Sequence, residues 1–242
     1  MKAVILAGGK GTRGKPYTEY FPKAMTPING KPLIDYVVRY LESFDFIKEI
    51  IIISDFTGLG GQIKNYYQKL KSNKKIFFVQ DSQSGTGGDL LHVGKKLETE
   101  SEFVLWFVDN LCAIDLLKMH KFFKQKKSGA CIATRTKRKE ETGFAIVEDG
   151  VIKKFQEKPI LDLPMSECLG IYIIGKEVIK KIKEKSKQKQ INLSYDILEP
   201  LSKEGKISAF DIGKNDWIDA ESPMALERNQ KQVNKIIKQM ES

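Results

Sequence analysis

Residues 1–23, MKAVILAGGKGTRGKPYTEYFPK, join a short apolar run to a glycine-rich basic loop, and that junction limits what the chain can become. Ala3 to Ala7 is uninterrupted apolar sequence too short for a helix, and Gly8, Gly9 and Gly11 follow at once. This is how a buried parallel strand delivers backbone amides to a ligand. Without a Cβ, those amides can closely approach a phosphate or a base. Lys10, Arg13, Lys15 and Lys23 bring up to four cations to the same place, so the stretch suits a polyanion.

Two phosphate-binding motifs fit the loop on paper and fail on inspection. Gly9, Gly11 and Gly14 satisfy G-x-G-x-x-G, which must open a helix and be followed about twenty residues on by an acidic strand-end residue. Pro16 and Pro22 bar a continuous helix, and Asp35 falls inside the first helical pattern. Gly9 to Lys15 also approximates G-x-x-x-x-G-K. The next residue is Pro16, so the hydroxyl that would hold magnesium is missing.

A chain of 242 residues can bury one substantial core, and no Pro- or Ser-rich linker divides it, so 1–242 reads as a single domain. Cys112, Cys131 and Cys168 are widely spaced and odd in number, which suits a reducing cytoplasm better than a disulfide framework or a zinc site. No apolar run is long enough for a signal-peptide core or a bilayer span. The net charge of +10 is spread along helices rather than gathered with aromatics in a nucleic-acid module. Seven lysines between Lys176 and Lys189 read as a solvated helix face.

Beyond the loop, Pro32 opens a helical pattern with Leu33, Val37, Tyr40, Leu41 and Phe44 on one face. Glu49–Ile53 and Ile76–Val79 read as strands separated by a polar helix that ends near Leu70. The β-loop-α-β-α-β rhythm predicts an α/β fold, a Rossmann-like, mostly parallel sheet with helices on both faces. Ligands in such sheets bind beyond the carboxyl ends of the strands, where the first loop lies. Gln80 and the turn Ser84-Gly85-Thr86-Gly87-Gly88 follow the third strand at that edge. Phe103–Val108, the most hydrophobic strand, ends in Asp109, whose carboxylate there is either a turn cap or a metal ligand.

A helix over 115–127, a strand over 131–136 and a hairpin of 144–148 and 151–156 around Asp149-Gly150 follow. A short helix over 193–201 and a strand over 207–212 come next. Ser222 and Pro223 form a helix start, and Leu226, Val233, Ile236, Ile237 and Met240 stripe the last helix as core or as a subunit interface, leaving a homo-oligomer open. Neither His92 nor His120 has partners at metal-ligand spacing.

Leu6–Arg13, reading L-A-G-G-K-G-T-R, with Pro22-Lys23 behind it, resembles the signature of the sugar-phosphate nucleotidylyltransferases. The resemblance implies their nucleotide-diphospho-sugar transferase fold, with 1–112 mainly the nucleotide half and 113–242 mainly the sugar-phosphate half. No β-helix extension is expected. It implies that Leu6, Gly8, Gly9, Gly11, Thr12, Gln80, Gly85 and Thr86 bind the nucleotide. Gly143, Glu157, Lys158 and Cys168 would bind the sugar phosphate, and Asp109 and Asp219 a magnesium ion. Arg13, Lys23, Asp109 and Lys158 would be catalytic. The chain departs from the family pattern at Val108 and Glu221, where glycine is usual, at Asp89, where a small residue is usual, and at Cys168, where asparagine is usual.

The implied reaction joins a nucleoside triphosphate to a sugar 1-phosphate, with release of pyrophosphate. Glucose 1-phosphate with dTTP or UTP, and mannose 1-phosphate with GTP, are the leading pairs. A phosphate oxygen is already ionised at neutral pH, so the absence of a His or Ser-His arrangement is no obstacle. A non-catalytic relative that binds nucleotide sugars is the alternative, motivated by Val108, Cys168 and Glu221. Nucleic-acid binding rests on charge alone. No nucleic acid or membrane partner is expected.

Overall fold

A computed structural model of the chain describes residues 1–9, 11–140 and 142–242; Lys10, one of the four cations of the opening loop, lies outside them. In chain order the strands are β1 (Lys2–Leu6), β2 (Pro27–Ile28), β3 (Lys31–Pro32), β4 (Glu49–Ser54), β5 (Lys75–Gln80), β6 (Glu102–Phe107), β7 (Asn110–Cys112), β8 (Ala130–Lys139), β9 (Phe144–Glu148), β10 (Val151–Gln156), β11 (Ile160–Gly175), β12 (Ile207–Asp211) and β13 (Trp217–Asp219). The helices are α1 (Leu33–Glu42), α2 (Gly61–Gln68), α3 (Gly85–His92), α4 (Gly94–Leu97), α5 (Leu116–Lys126), α6 (Lys176–Glu184), α7 (Glu199–Lys203), α8 (Pro223–Arg228) and α9 (Gln230–Met240).

Seven strands form one sheet in the order β12-β8-β11-β6-β1-β4-β5. β1 lies parallel between β4 and β6, β4 is parallel to β5, and β12 is parallel to β8, while β11 runs antiparallel to both of its neighbours. The sheet is therefore mixed and mostly parallel, as the element rhythm predicts. Central strands read as continuous apolar runs because both of their faces are covered. Ala3, Ile5, Ile50, Ile52, Val104 and Trp106 face a core shared with α1, α2, α5 and α9. Val4, Leu6, Ile51, Ile53 and Leu105 face another built on Leu90 of α3 and Val178 and Ile182 of α6. Each fully buried side chain of this size contributes about 1.5–3 kcal/mol, and the alternation divides that contribution between the two layers.

Two turns obey their local sequence. Asn29-Gly30 joins β2 to β3 and Asp149-Gly150 joins β9 to β10, all four residues at positive φ, as a two-residue hairpin connection requires. Elsewhere the elements run further than their composition suggests. Gly85–Gly88 form the first turn of α3 rather than a plain loop, and β11 extends over 16 residues with register shifts that accommodate Pro164. The 193–201 helix begins as a widened turn over Leu193–Leu198 before continuing as α7. Of the lysine-rich stretch 176–189, the first part is a helix face, α6, anchored by Val178 and Ile182, whereas Lys185, Lys187 and Lys189 lie beyond the helix end at Glu184. Among the described residues no helix is long and apolar enough to cross a membrane.

Candidate active site

Strands β1, β4, β5 and β6 end at one edge of the sheet, and the opening loop crosses it. Backbone bonds tie these ends together: Ala7 N donates to Ile53 O at 2.8 Å and Val108 N to Leu6 O at 3.1 Å. The prolines break the loop into short turns over Thr12–Gly14, Tyr17–Glu19 and Lys23–Met25. Gly11 has a φ of 55°, and an added Cβ would lie 2.9 Å from Thr18 Cγ2, so glycine is required there on both counts. A cleft of about 800 Å³ opens between this loop and α3, lined by Leu6, Gly8, Gly9, Gly11, Thr12, Arg13 and Lys23 on the loop side. Gly85 and Thr86 line the other side, and Asp109 lies at the floor.

The charges within the cleft are mutually engaged. Lys23 Nζ donates to Asp109 Oδ2 at 2.7 Å and lies 3.6 Å from Asp219 Oδ1. Arg13 Nη1 donates to Glu221 Oε2 at 2.6 Å and lies 3.7 Å from Asp219 Oδ2. Asp219 stands just behind the cleft wall. Burial and then the neighbouring Asp109 push its carboxyl above the ordinary value. Its Oδ1 is buried without a hydrogen bond among the described residues.

That orphaned oxygen bears on the magnesium ion implied by the sequence. Mg²⁺ is typically held by one or two carboxylates, with water and substrate phosphates completing its shell. Asp109 and Asp219 supply two such hard donors around one ammonium group, and no third metal-ligating side chain joins them among the described residues. The donor set fits a divalent cation bound together with a phosphate substrate.

Asn110, which the sequence did not single out, holds this corner together. It is 5% exposed. Its Oδ1 accepts from Gly170 N at 2.9 Å and from the Trp217 indole at 2.8 Å, and its Nδ2 donates to Asp109 Oδ1 at 2.8 Å. Its own carbonyl accepts from the Trp106 indole at 2.8 Å. One amide thus links β7, β11 and β13, and a backbone bond from Ala220 N to Asp109 O, 2.7 Å, closes the ring. An asparagine beside a strand-end aspartate was the only local signal.

On the α3 side, Gly85 has a φ of 81°, and a Cβ there would meet Ile191 O at 2.7 Å. Gly87 N donates to Ile191 O, Ile191 N to Ser84 O, and Leu193 N to Thr86 Oγ1, so the 191–193 segment latches the glycine turn. Gln80 is engaged elsewhere: its Oε1 accepts from Phe56 N at 2.9 Å and its Nε2 donates to Asp55 Oδ1 at 2.8 Å. It is not among the residues that line the cleft. Lys15 pairs with Glu19 at 3.0 Å and also stays out of the cleft.

The sugar-phosphate candidates are more dispersed. Gly143, Glu157 and Lys158 lie at the base of the β9–β10 hairpin, exposed and away from the cleft lining. Lys158 has a φ of 47°, sparsely populated for a side chain of its size, and its N–H donates to Thr142 O at 3.2 Å. Cys168 is exposed on β11, two residues before Gly170, which packs on Asn110. His120 serves structure: it stacks on Phe46 and its Nε2 lies 3.1 Å from Glu102 Oε1.

Comparison with known proteins places the chain in a family. The family model described as nucleotidyl transferase matches residues 2–235. UTP–glucose-1-phosphate uridylyltransferase of Synechocystis is 34% identical over 75% of this chain and 51% of its own length. Mannose-1-phosphate guanyltransferase beta-A of Xenopus laevis is 26% identical over 92% of this chain and 62% of its own. The chain thus spans between half and two thirds of the length of these relatives. The crystal structure of a UDP-glucose pyrophosphorylase complexed with UDP-glucose superposes with a TM-score of 0.70, covering 97% of this chain and 98% of that one at 22% identity, a likeness of fold. The match of the family model over nearly the whole chain shows that the chain belongs to the nucleotidyl transferase family.

Proposed function

We propose that the protein transfers a nucleotidyl group from a nucleoside triphosphate to a sugar 1-phosphate. The observation that carries this reading is the convergence of Lys23, Asp109, Asp219 and Arg13 at the carboxyl edge of the sheet. A phosphate oxygen of the sugar 1-phosphate attacks the α-phosphorus, a new P–O bond forms, the bond to the bridging β-phosphate oxygen breaks, and pyrophosphate leaves. No base is required, because the attacking oxygen is already ionised. The catalytic burden is positional and electrostatic: two polyanions must be held in line and their repulsion offset.

In this reading Lys23 holds the triphosphate near the reacting phosphorus. The planar fork of Arg13 grips the departing pyrophosphate. Lys158 holds the sugar phosphate. Asp109 and Asp219 would hold Mg²⁺, which neutralises phosphate charge when bound. Backbone groups of Leu6, Gly8 and Gly85 lie against the base. The deciding experiment is a pyrophosphate-release matrix of five nucleoside triphosphates against several sugar 1-phosphates with Mg²⁺. Release with at least one pair supports the reading. Tight nucleotide-sugar binding with no release from any pair would instead favour a binding protein.

A further inference from the structure

The base end of the cleft is lined by carboxylates. Asp89 occupies the second turn of α3 and is 8% exposed. Its Oδ1 accepts from Ser82 N at 2.9 Å and from Ser82 Oγ at 2.6 Å. Its Oδ2 makes no hydrogen bond among the described residues, and the side chain lines the cleft, so the small opening left to it faces the ligand. Asp81 lies beside it against Gly8: a Cβ on that glycine would stand 2.5 Å from Asp81 Oδ2. Gln80 is turned away onto Phe56 and Asp55, while Gln83 and Gln190 line the cleft with amides that offer both donors and acceptors. Beside these amides, the carboxylates of Asp81 and Asp89 supply acceptors alone.

A carboxylate oxygen without a protein donor that opens onto the cleft is one that the N–H groups of a ligand can satisfy. Guanine carries adjacent N1–H and N2–H donors, which match the two oxygens or a single oxygen of a carboxylate. Uracil and thymine set one N–H between two carbonyl oxygens, and those carbonyls would face Asp89 repulsively. Cytosine and adenine each offer a single amino group. We propose that Asp89 makes the cleft selective for a guanine nucleotide, an inference that rests on the nucleotidyl-transfer reading and narrows its substrate. Burial, with the neighbouring Asp81, holds the Asp89 carboxyl above its ordinary value, and the two Ser82 donors on Oδ1 offset this in part.

The test is equilibrium binding of GTP, CTP, UTP, dTTP and ATP to the whole chain without sugar, by calorimetry. GTP is expected to bind about tenfold or more tighter than UTP and dTTP, because a site built to accept hydrogen bonds rejects ligands that cannot donate them. Asp89→Asn keeps an acceptor for Ser82 but can turn an amide donor into the cleft. It should weaken GTP about tenfold while leaving UTP unchanged or tighter. Asp89→Ala should remove the preference altogether. Equal binding of all five nucleotides, a preference for any nucleotide other than GTP, or an equal loss of all five in both variants would overturn the inference and leave the transfer reading standing. Absence of binding by every nucleotide would overturn both.

Discussion

The Arg13 guanidinium and the Glu221 carboxylate meet at 2.6 Å across 208 residues of chain, at the mouth of the cleft. Arg13 is 65% exposed and Glu221 41%, so the pair is screened and worth less than about 1 kcal/mol. It still has to open before Arg13 can take a phosphate oxygen. Glu221→Gln should therefore lower the KM for the nucleoside triphosphate about two- to fivefold with little change in kcat. Steady-state pyrophosphate release measures both constants, and a raised KM would show that Glu221 assists binding instead.

Asp109 and Lys23 share a 2.7 Å ion pair at the floor of the same cleft. Asp109→Asn preserves shape and the contact from Asn110 but removes the charge. Together with Arg13→Ala and Lys158→Ala it should lower turnover by roughly a hundredfold or more, with thermal unfolding little altered. Chelation of divalent cations should abolish release in the native protein, and added Mg²⁺ should restore it. Any one of these variants retaining near-normal release loses its place in the mechanism.

Asn110 tests how far the site depends on one buried amide. Asn110→Ala strands the Gly170 N–H and the Trp217 indole, both partners of its Oδ1. A loss of about 2–4 kcal/mol of stability is expected in urea titration. Asn110→Asp keeps that acceptor but opposes Asp109 with a second carboxylate, so activity should fall further than stability does.

Glu102, at the start of β6, shows the acid dependence built into the fold. Burial alone would raise its carboxyl, but hydrogen bonds from Lys124, Ser101 and His120 hold it down to about 2, against an ordinary 4.5. A carboxyl depressed in the folded state stabilises fully above its unfolded value. This contribution, on the order of 2 kcal/mol, is present above about pH 4.5 and is lost as pH falls toward 2. Unfolding followed between pH 6 and pH 2.5 should show that loss, and Glu102→Gln should flatten it.

Much of the architecture was legible because it follows from local rules. Apolar runs at Ala3–Ala7 and Phe103–Val108, punctuated by glycine and separated by helical periodicity, demand a covered, mostly parallel sheet whose ligand edge lies at the strand ends. The Asp-Gly turn announces its hairpin, and the prolines of the opening loop forbid a helix there, as the short turns over Thr12–Met25 bear out. The antiparallel course of β11 was not legible. Its residues Ile171–Ile174 are apolar enough for either direction, and only pairing with β6 and β8 decides between them.

The identity of the opening loop, its glycines and its cations, belongs to the sequence alone, since each follows from what neighbouring residues permit one another. What those cations touch was decided only by the tertiary structure. Asp109, Asp219 and Glu221 lie far from Arg13 and Lys23 along the chain, and only closure of the sheet brings them within 4 Å. The same closure turns Gln80 away from the cleft and leaves an oxygen of Asp89 facing it, because hydrogen-bond partners are assigned by proximity in space and no sequence pattern records them.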